Sequence, residues 1–586
     1  MKLSLKDKRT RIWLAAAAVV TLAVVLTVIL LPSGSPARDA KKSTYQIQAE
    51  YSPSTHVIRG SMTLNYLNQT GNPLESLSLH LYPNAFSSQE NAPFPQEWME
   101  LAYPNGFNTG GIEVTNIRVN GKEAQTSLEE NNQILNIQIP KLNKNRTVKL
   151  EMDFTVTLPN ASGRFGYTDF GVNLGNWYPI VCGYDQGFVK NPYYSTGDPF
   201  FSETALYEVA LTLPQEYTLA TTGTITQKDQ SDPLKTVWNI QADNVRDFAC
   251  VFSTNYQLLS EQVGDTIVYS YFTDEETGKK ALEFAVSAMK IFNELYGEYP
   301  YPQYTVAESD FFIGGMEFPN IVFINKQFYK LQNLLTLEHV VVHETAHQWW
   351  YGIVGNNQVD EAFIDEGLAE YSTMVYYEKT KTPEDYRTYF NYYIANNYRF
   401  AMAELNQRHS DMDMSINKPV NQFEDYLAYE TMVYTKTALM LDTLNQQMGD
   451  EAFFKALKSL KSEYQFKTIT KDEYIAAFQA QTSMPVDKII DSWLIGMLRS
   501  ADPAGGEASA PDKELLHAFC EDLCAGYACV ISGDKNVLFK LKALWIYLGM
   551  SFTNPQKYLK KIKKANRLAE YEEAVDALFR EQELIL

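Results

Sequence analysis

His343, Glu344 and His347 form the pattern H-E-x-x-H, and Glu366 follows the second histidine after eighteen intervening residues. On a helix of about 3.6 residues per turn, positions four apart share a face, so both imidazoles can reach one ion. Two histidines and a glutamate are a ligand set of catalytic zinc, which takes three protein ligands and leaves a fourth position for solvent. Glu344, next to the first histidine, points into the same cleft as a general base rather than a ligand. A bare H-E-x-x-H also suits an ordinary half-buried helix, and Leu337, Val340, Val341, Val342, Trp349 and Trp350 would serve as its apolar flanks. The run Asp365-Glu366-Gly367-Leu368-Ala369-Glu370-Tyr371, on a second apolar-periodic segment, favours a single Zn2+. His339, one turn before His343, lacks the rest of the motif and reads as packing or support. Glu370, a turn beyond Glu366, either accepts the free N–H of a ligand histidine and orients its ring, or stands as a solvated helix carboxylate.

Ahead of these helices comes Phe311-Phe312-Ile313-Gly314-Gly315-Met316-Glu317-Phe318-Pro319-Asn320. Paired glycines beside an acid suit a backbone that comes close to a ligand, or a plain strand turn. As an edge strand it could pair with a peptide main chain while Glu317 holds a positive charge. The elements that must position these groups are strands first, then helices. Segments such as Thr63-Leu64-Asn65-Tyr66-Leu67 and Leu135-Asn136-Ile137-Gln138-Ile139 alternate with period two between turns such as Asn120-Gly121. They predict a large antiparallel β domain over 44–262, saddle-shaped or sandwich-like, with His56 and His80 at its surface or edges. From Asp274 the period lengthens, with Ala281, Ala285, Ala288, Met289 and Phe292 on one face, and a mostly helical domain is expected over 263–500.

The chain has 586 residues, too many for one core, with 45% hydrophobic and 13% aromatic residues, the composition of packed domains. A net charge of -21 speaks against nucleic acid or an anionic surface as partner of the main body. A basic segment, 1–11, precedes an apolar run from Ile12 to Leu31. Twenty helical residues span about 30 Å, the hydrocarbon thickness of a bilayer. A cleavable signal peptide has a shorter apolar region and a small-residue cleavage site, so an uncleaved transmembrane signal anchor is expected at 12–31. The basic end would be cytoplasmic, the rest extracellular beyond a linker at 32–43. Cys182 and Cys250 are the cysteines before residue 500, too few for a disulfide framework. Asn68-Gln69-Thr70, Asn145-Arg146-Thr147 and Asn160-Ala161-Ser162 are glycosylation sequons.

Together these residues resemble the zinc aminopeptidases of the aminopeptidase N and leukotriene hydrolase family, over roughly 44–500. The family's G-A-M-E-N motif is similar to Gly314-Gly315-Met316-Glu317-Phe318, where Phe318 stands in place of Asn. The resemblance implies that Glu317 binds the free α-amino group of a peptide, with Gly314, Gly315 and Met316 beside it. The family's Y-E-K-G stretch is matched by Tyr434-Thr435-Lys436-Thr437, so Tyr434 takes the role of transition-state hydroxyl; Tyr429 fits less well. A second amine-binding group from the β domain is also implied, and the spacing leaves Asp198 and Glu203 both open. The fold class implied is multidomain α+β, with a thermolysin-like, mostly helical catalytic domain and a small helical tail. The activity implied is removal of the first residue of peptides that have a free N-terminus. Rival chemistries for the same zinc are an endopeptidase and an epoxide hydrolase.

Ala501 to Asp512 is a linker by composition. In the tail, 513–586, Lys557, Lys560, Lys561, Lys563, Lys564 and Arg567 follow one another without an acid, which reads as a solvated helix face. This tail resembles the C-terminal helical part of tRNA-dihydrouridine synthases, without that family's flavin-binding barrel. A non-enzymatic RNA-binding role carried by this basic tail is therefore a second rival reading, with nucleic acid a partner of the tail alone, and no flavin is implied. Cys520, Cys524 and Cys529 lack a fourth metal ligand and read as buried core.

Overall fold

The computed structural model describes residues 42–408 and 413–495, and in the tail residues 552–583 with isolated positions between 513 and 545. The apolar run at 12–31, most of the 32–43 linker, the linker at 501–512 and Cys520, Cys524 and Cys529 lie outside the described residues. Among the described residues no helix is long and apolar enough to cross a membrane.

Period-two alternation builds the first domain. Thr147–Thr157 buries every second side chain, and its apolar face is Val148, Leu150, Met152, Phe154 and Val156. It lies in an eight-stranded sheet whose neighbours run Thr224–Asp229, Lys235–Val245, Ala205–Pro214, Thr44–Ser52, Val57–Leu67, Thr147–Thr157, Gly111–Val119 and Lys122–Glu123. Two four-stranded sheets complete the domain. The expectation of a wholly antiparallel domain needs one correction. Thr44–Ser52 pairs parallel with Ala205–Pro214, at the centre of the large sheet; every other pair among the described strands of these three sheets is antiparallel. A parallel pair needs a long crossover instead of a hairpin, and period-two patterns carry no trace of it.

His80 also departs from expectation. It is 1% exposed and stacks on Tyr82, and burial pulls its pKa down to about 3. Leu74–His80 has strands on both sides, so its last residue is covered rather than at an edge. His56 is half-buried, 2.9 Å from the Tyr51 hydroxyl and stacked on Tyr167. Cys182 and Cys250 are free, buried thiols.

A mixed five-stranded sheet opens the second domain, in the order Gln257–Val263, Thr266–Phe272, Gln303–Ser309, Ile321–Asn325 and Gly315–Met316. A boundary at 262/263 cuts its first strand; by sheet membership the seam falls between Ser253 and Gln257. Helix α1, Glu275–Tyr296, is capped by Asp274, whose carboxylate accepts from the Thr277 amide at 3.0 Å. It packs on the sheet and on α2, Leu334–Ala346, which in turn packs on α3, Phe363–Thr380. The C-terminal half of α2 and nearly all of α3 are buried on every side, the mark of helices inside a core. Gly367 lets α3 approach the helix Thr437–Met448: a Cβ there would lie 2.1 Å from Thr437 Cγ2.

The tail helices Gln556–Lys564 and Leu568–Glu581 enclose a separate small core, with Trp545, Phe552, Tyr558, Ile562, Tyr571 and Phe579 in it. Their amphipathic period supplies it: Tyr558 and Ile562 lie four apart and inward, and the lysines face out.

Candidate active site

Helix α2 carries His343 on its last turn and ends at His347, so the two rings project together into a cleft of about 300 Å³. Glu366 comes to the same point from the first turn of α3. His343 Nε2 and His347 Nε2 lie 3.2 Å apart, and Glu366 Oε2 lies 3.4 and 3.1 Å from them. Three ligands at about 2.0–2.1 Å from a tetrahedral zinc would stand on the order of 3.3 Å from one another. The triangle has that size. His347 Nδ1 lies 3.0 Å from the Trp350 carbonyl, which can only accept. Nδ1 therefore carries the proton, and Nε2 offers its lone pair to the centre of the triangle. His343 is held in the same way, its Nδ1 3.1 Å from Glu370 Oε2. These donors fit one zinc ion.

The electrostatics point the same way. Burial alone would lower the His343 pKa, yet the Glu366 and Glu370 carboxylates raise it to about 10. Burial would raise the Glu366 pKa, yet the two histidines hold it below the usual carboxylate range. A site that draws protons onto its histidines so strongly favours any positive charge at that point.

Glu344 is buried beside the triangle, and its Oε2 has no hydrogen-bond partner among the described residues. Burial raises its pKa. Gly315 makes room for it: a Cβ at 315 would lie 2.3 Å from Glu344 Oε1. Gly315 and Met316 form the edge strand of the five-stranded sheet, and Gly314 lines the cleft next to them. Glu317, 3% exposed, follows directly and accepts from Gln358 Nε2 at 2.9 Å. Gln358 Nε2 also donates to Asp365 Oδ2 at 2.6 Å, so one amide fixes two carboxylates.

Asp198 comes from the β domain, in an irregular stretch that passes over the cleft wall. Carboxylate oxygens of Asp198, Glu317 and Glu366 lie within 4.8 Å of one another. Burial raises the Asp198 pKa and the Arg164 guanidinium, paired with it, opposes that rise. Glu203 faces elsewhere, onto a small cavity with Tyr45, Tyr66 and Cys182. Of the two acids the sequence left open, Asp198 is the one in the cleft.

Tyr434 sits on a π-helical segment, Glu430–Lys436. Its hydroxyl donates to Glu366 Oε1 at 2.6 Å and its ring stacks on His343. Tyr429 packs edge-on against Tyr434 and is 1% exposed. His339 stacks on Tyr393, and its Nε2 is 3.9 Å from Glu370 Oε2. The structure thus brings together His343, Glu344, His347, Glu366, Glu370, Glu317, Gly314, Gly315 and Tyr434, with Met316 turned into the core behind them. Arg164 and Gln358 also hold groups of the cleft in place, and no sequence pattern points to them. Arg164 lies 34 positions before its partner, and Gln358 lies in the irregular part of the connection between the two histidines and Glu366. Neither has a spacing that a pattern could catch.

A model of the peptidase family M1 domain matches residues 280–493. This region is an M1 peptidase domain. Aminopeptidase M1-B of Oryza sativa subsp. japonica is 23% identical over 360 residues, covering 59% of this chain and 40% of the rice protein. Aminopeptidase N of Lactobacillus helveticus is 27% identical over 227 residues, covering 36% of this chain and 26% of that protein. The chain thus spans less than half the length of these curated relatives. The fold is also similar to a solved M1 zinc metallopeptidase of Deinococcus radiodurans, a mutant bound to a Tyr-Ser-Ala substrate. The TM-score is 0.50 at 15% identity, with 80% of this chain and 96% of that chain covered. In the M1 domain described here, His343, Glu344, His347 and Glu366 come from α2 and α3, and the β domain contributes Asp198 to the cleft.

Proposed function

We propose that this chain is a zinc aminopeptidase that removes the first residue of peptides with a free amino terminus. The observation that carries this reading is that carboxylate oxygens of Asp198 and Glu317 lie within 4.8 Å of each other and of the ligand Glu366, next to the zinc position. Such a buried acidic corner suits an ammonium group, and an ammonium fixed there leaves room for one residue before the scissile carbonyl. The M1 match and the names of the relatives support the same reading.

His343, His347 and Glu366 would hold the zinc, which when bound supplies a Lewis acid to the carbonyl and acidifies the attacking water. Asp198 and Glu317 bind the ammonium and set the register. The open edge at Gly315–Met316 aligns the peptide main chain. A Glu344 carboxylate oxygen takes the proton of the attacking water and passes it to the leaving amide nitrogen. The Tyr434 hydroxyl turns its proton from Glu366 Oε1 to the oxygen on which charge develops. We also propose that 12–31 anchors the enzyme in a membrane with the M1 domain outside, on the sequence of that run and its basic flank.

The test is metal analysis together with hydrolysis of paired free and N-acetylated peptides, wild type against Glu344→Gln. About one zinc per chain is expected in both proteins, with cleavage of free peptides only and a rate lowered about 10²–10⁴-fold in the variant. Equal cleavage of the acetylated peptides would replace the exopeptidase reading with an endopeptidase one.

A further inference from the structure

The cleft is lined by six carboxylates, Asp198, Glu317, Glu344, Glu366, Glu370 and Glu430, and by no lysine or arginine among the described residues. Each of the first five has a countercharge or a task. Arg164 answers Asp198, and the substrate ammonium answers Glu317. Glu366 and Glu370 face the histidines and the cation those histidines hold. Glu344 needs its charge for proton transfer. Glu430 is left over. It is exposed to the cleft, has no hydrogen-bond or ion-pair partner among the described residues, and has Glu370 as its charged neighbour.

Its place along the cleft follows from a chain of contacts. Asp198 and Glu317 stand at one end, within reach of Glu366. His343 Nε2 lies at Glu366, His343 Nδ1 at Glu370, and His339 beyond Glu370. A peptide whose ammonium sits at Asp198 and Glu317, with its first carbonyl at the histidines, must run on towards Glu370, His339 and Tyr393. Glu430 lies one turn before Tyr434 on the π-helical segment, lines the cleft and has Glu370 as its charged neighbour, which puts it on the wall of that far half.

We propose that Glu430 recognises a cationic side chain on the residue following the cleaved bond, so the preferred substrates are peptides with lysine or arginine in second position. This inference rests on the aminopeptidase reading. A long, flexible basic side chain gains from a carboxylate that has no partner and stands beside a like charge, because it relieves that repulsion. An acidic second residue would meet Glu430 and Glu370 together and be disfavoured.

The experiment compares Ala-Lys-Ala, Ala-Gln-Ala and Ala-Glu-Ala with wild-type zinc-loaded enzyme, Glu430→Gln and Glu430→Lys, at low and high salt. Wild type is expected to favour lysine over glutamine about tenfold in kcat/KM, mainly through KM, and less at high salt. Glu430→Gln loses that preference, and Glu430→Lys favours Ala-Glu-Ala. A wild type that cleaves all three at one rate, or a Glu430→Gln that keeps the preference, overturns the inference and leaves the aminopeptidase reading standing. Cleavage of none of them overturns both. The wild-type series decides even where a variant fails to fold.

Discussion

Two regions of the molecule are rich in charge, and they treat it in opposite ways. Around α2 and α3 the charged and ionisable side chains are buried: His343, Glu344, His347, Glu366, Glu370, Glu317 and Asp198 are at most 7% exposed. On the tail helix Gln556–Lys564 and just beyond it, Lys557, Lys560, Lys561, Lys563, Lys564 and Arg567 are all exposed. Taking a charge out of water costs several kcal/mol unless a partner meets it, whereas leaving it on the surface costs little. The cleft therefore needs Gln358, Arg164, Trp350 and Tyr434 to hold its groups in place, and the tail helix needs only its apolar face. The difference teaches that charge marks a site where the fold works against its burial, not where it is most abundant.

The comparison breaks if substitutions in the cleft are as mild as those in the tail. Tyr434→Phe should have the largest effect among the supporting groups, lowering kcat about 10²–10³-fold with zinc content unchanged. Steady-state kinetics with metal analysis checks it. Gly315→Ala puts a methyl group where the Glu344 carboxylate lies, and a displaced base should cost about 10²-fold in kcat while the fold survives. Glu370→Gln keeps the shape but weakens the acceptor of His343 Nδ1, so zinc affinity should fall about tenfold in a chelator competition. At the other end of the scale, Lys560→Glu with Lys563→Glu should leave peptidase rates and the unfolding midpoint within about 2 °C of wild type. A collapse of activity in that double variant would give the tail a role in the cleft and end the contrast.

What could be read from the sequence divides along the same line. The residues of α2 and α3 follow helical spacing, so His343, His347 and Glu366 could be assigned to one ion before any coordinates. Edge glycines beside an acid gave Gly314, Gly315 and Glu317. Asp198 could not be separated from Glu203, because both lie in a stretch with no regular period. There the backbone is held by long-range pairs such as that between Arg164 and Asp198, which leave no local pattern. The π-helical segment at 430–436 hides for a related reason: its wider turns do not follow a 3.6-residue period, so Tyr434 could be singled out only through the family resemblance. Strand alternation located the sheets but said nothing of which faces are covered, and His80 is the residue on which that matters most.

The parallel pairing of Thr44–Ser52 with Ala205–Pro214 has a consequence in time as well as in space. Gln46 meets Glu208, 162 positions later, and between them most of the domain's strands must be made. A strand emerging early from the ribosome waits, with one flank open, until its neighbour arrives. Closure of the large sheet is thus a late event in synthesis, and contacts so distant along the chain make the domain slow to fold.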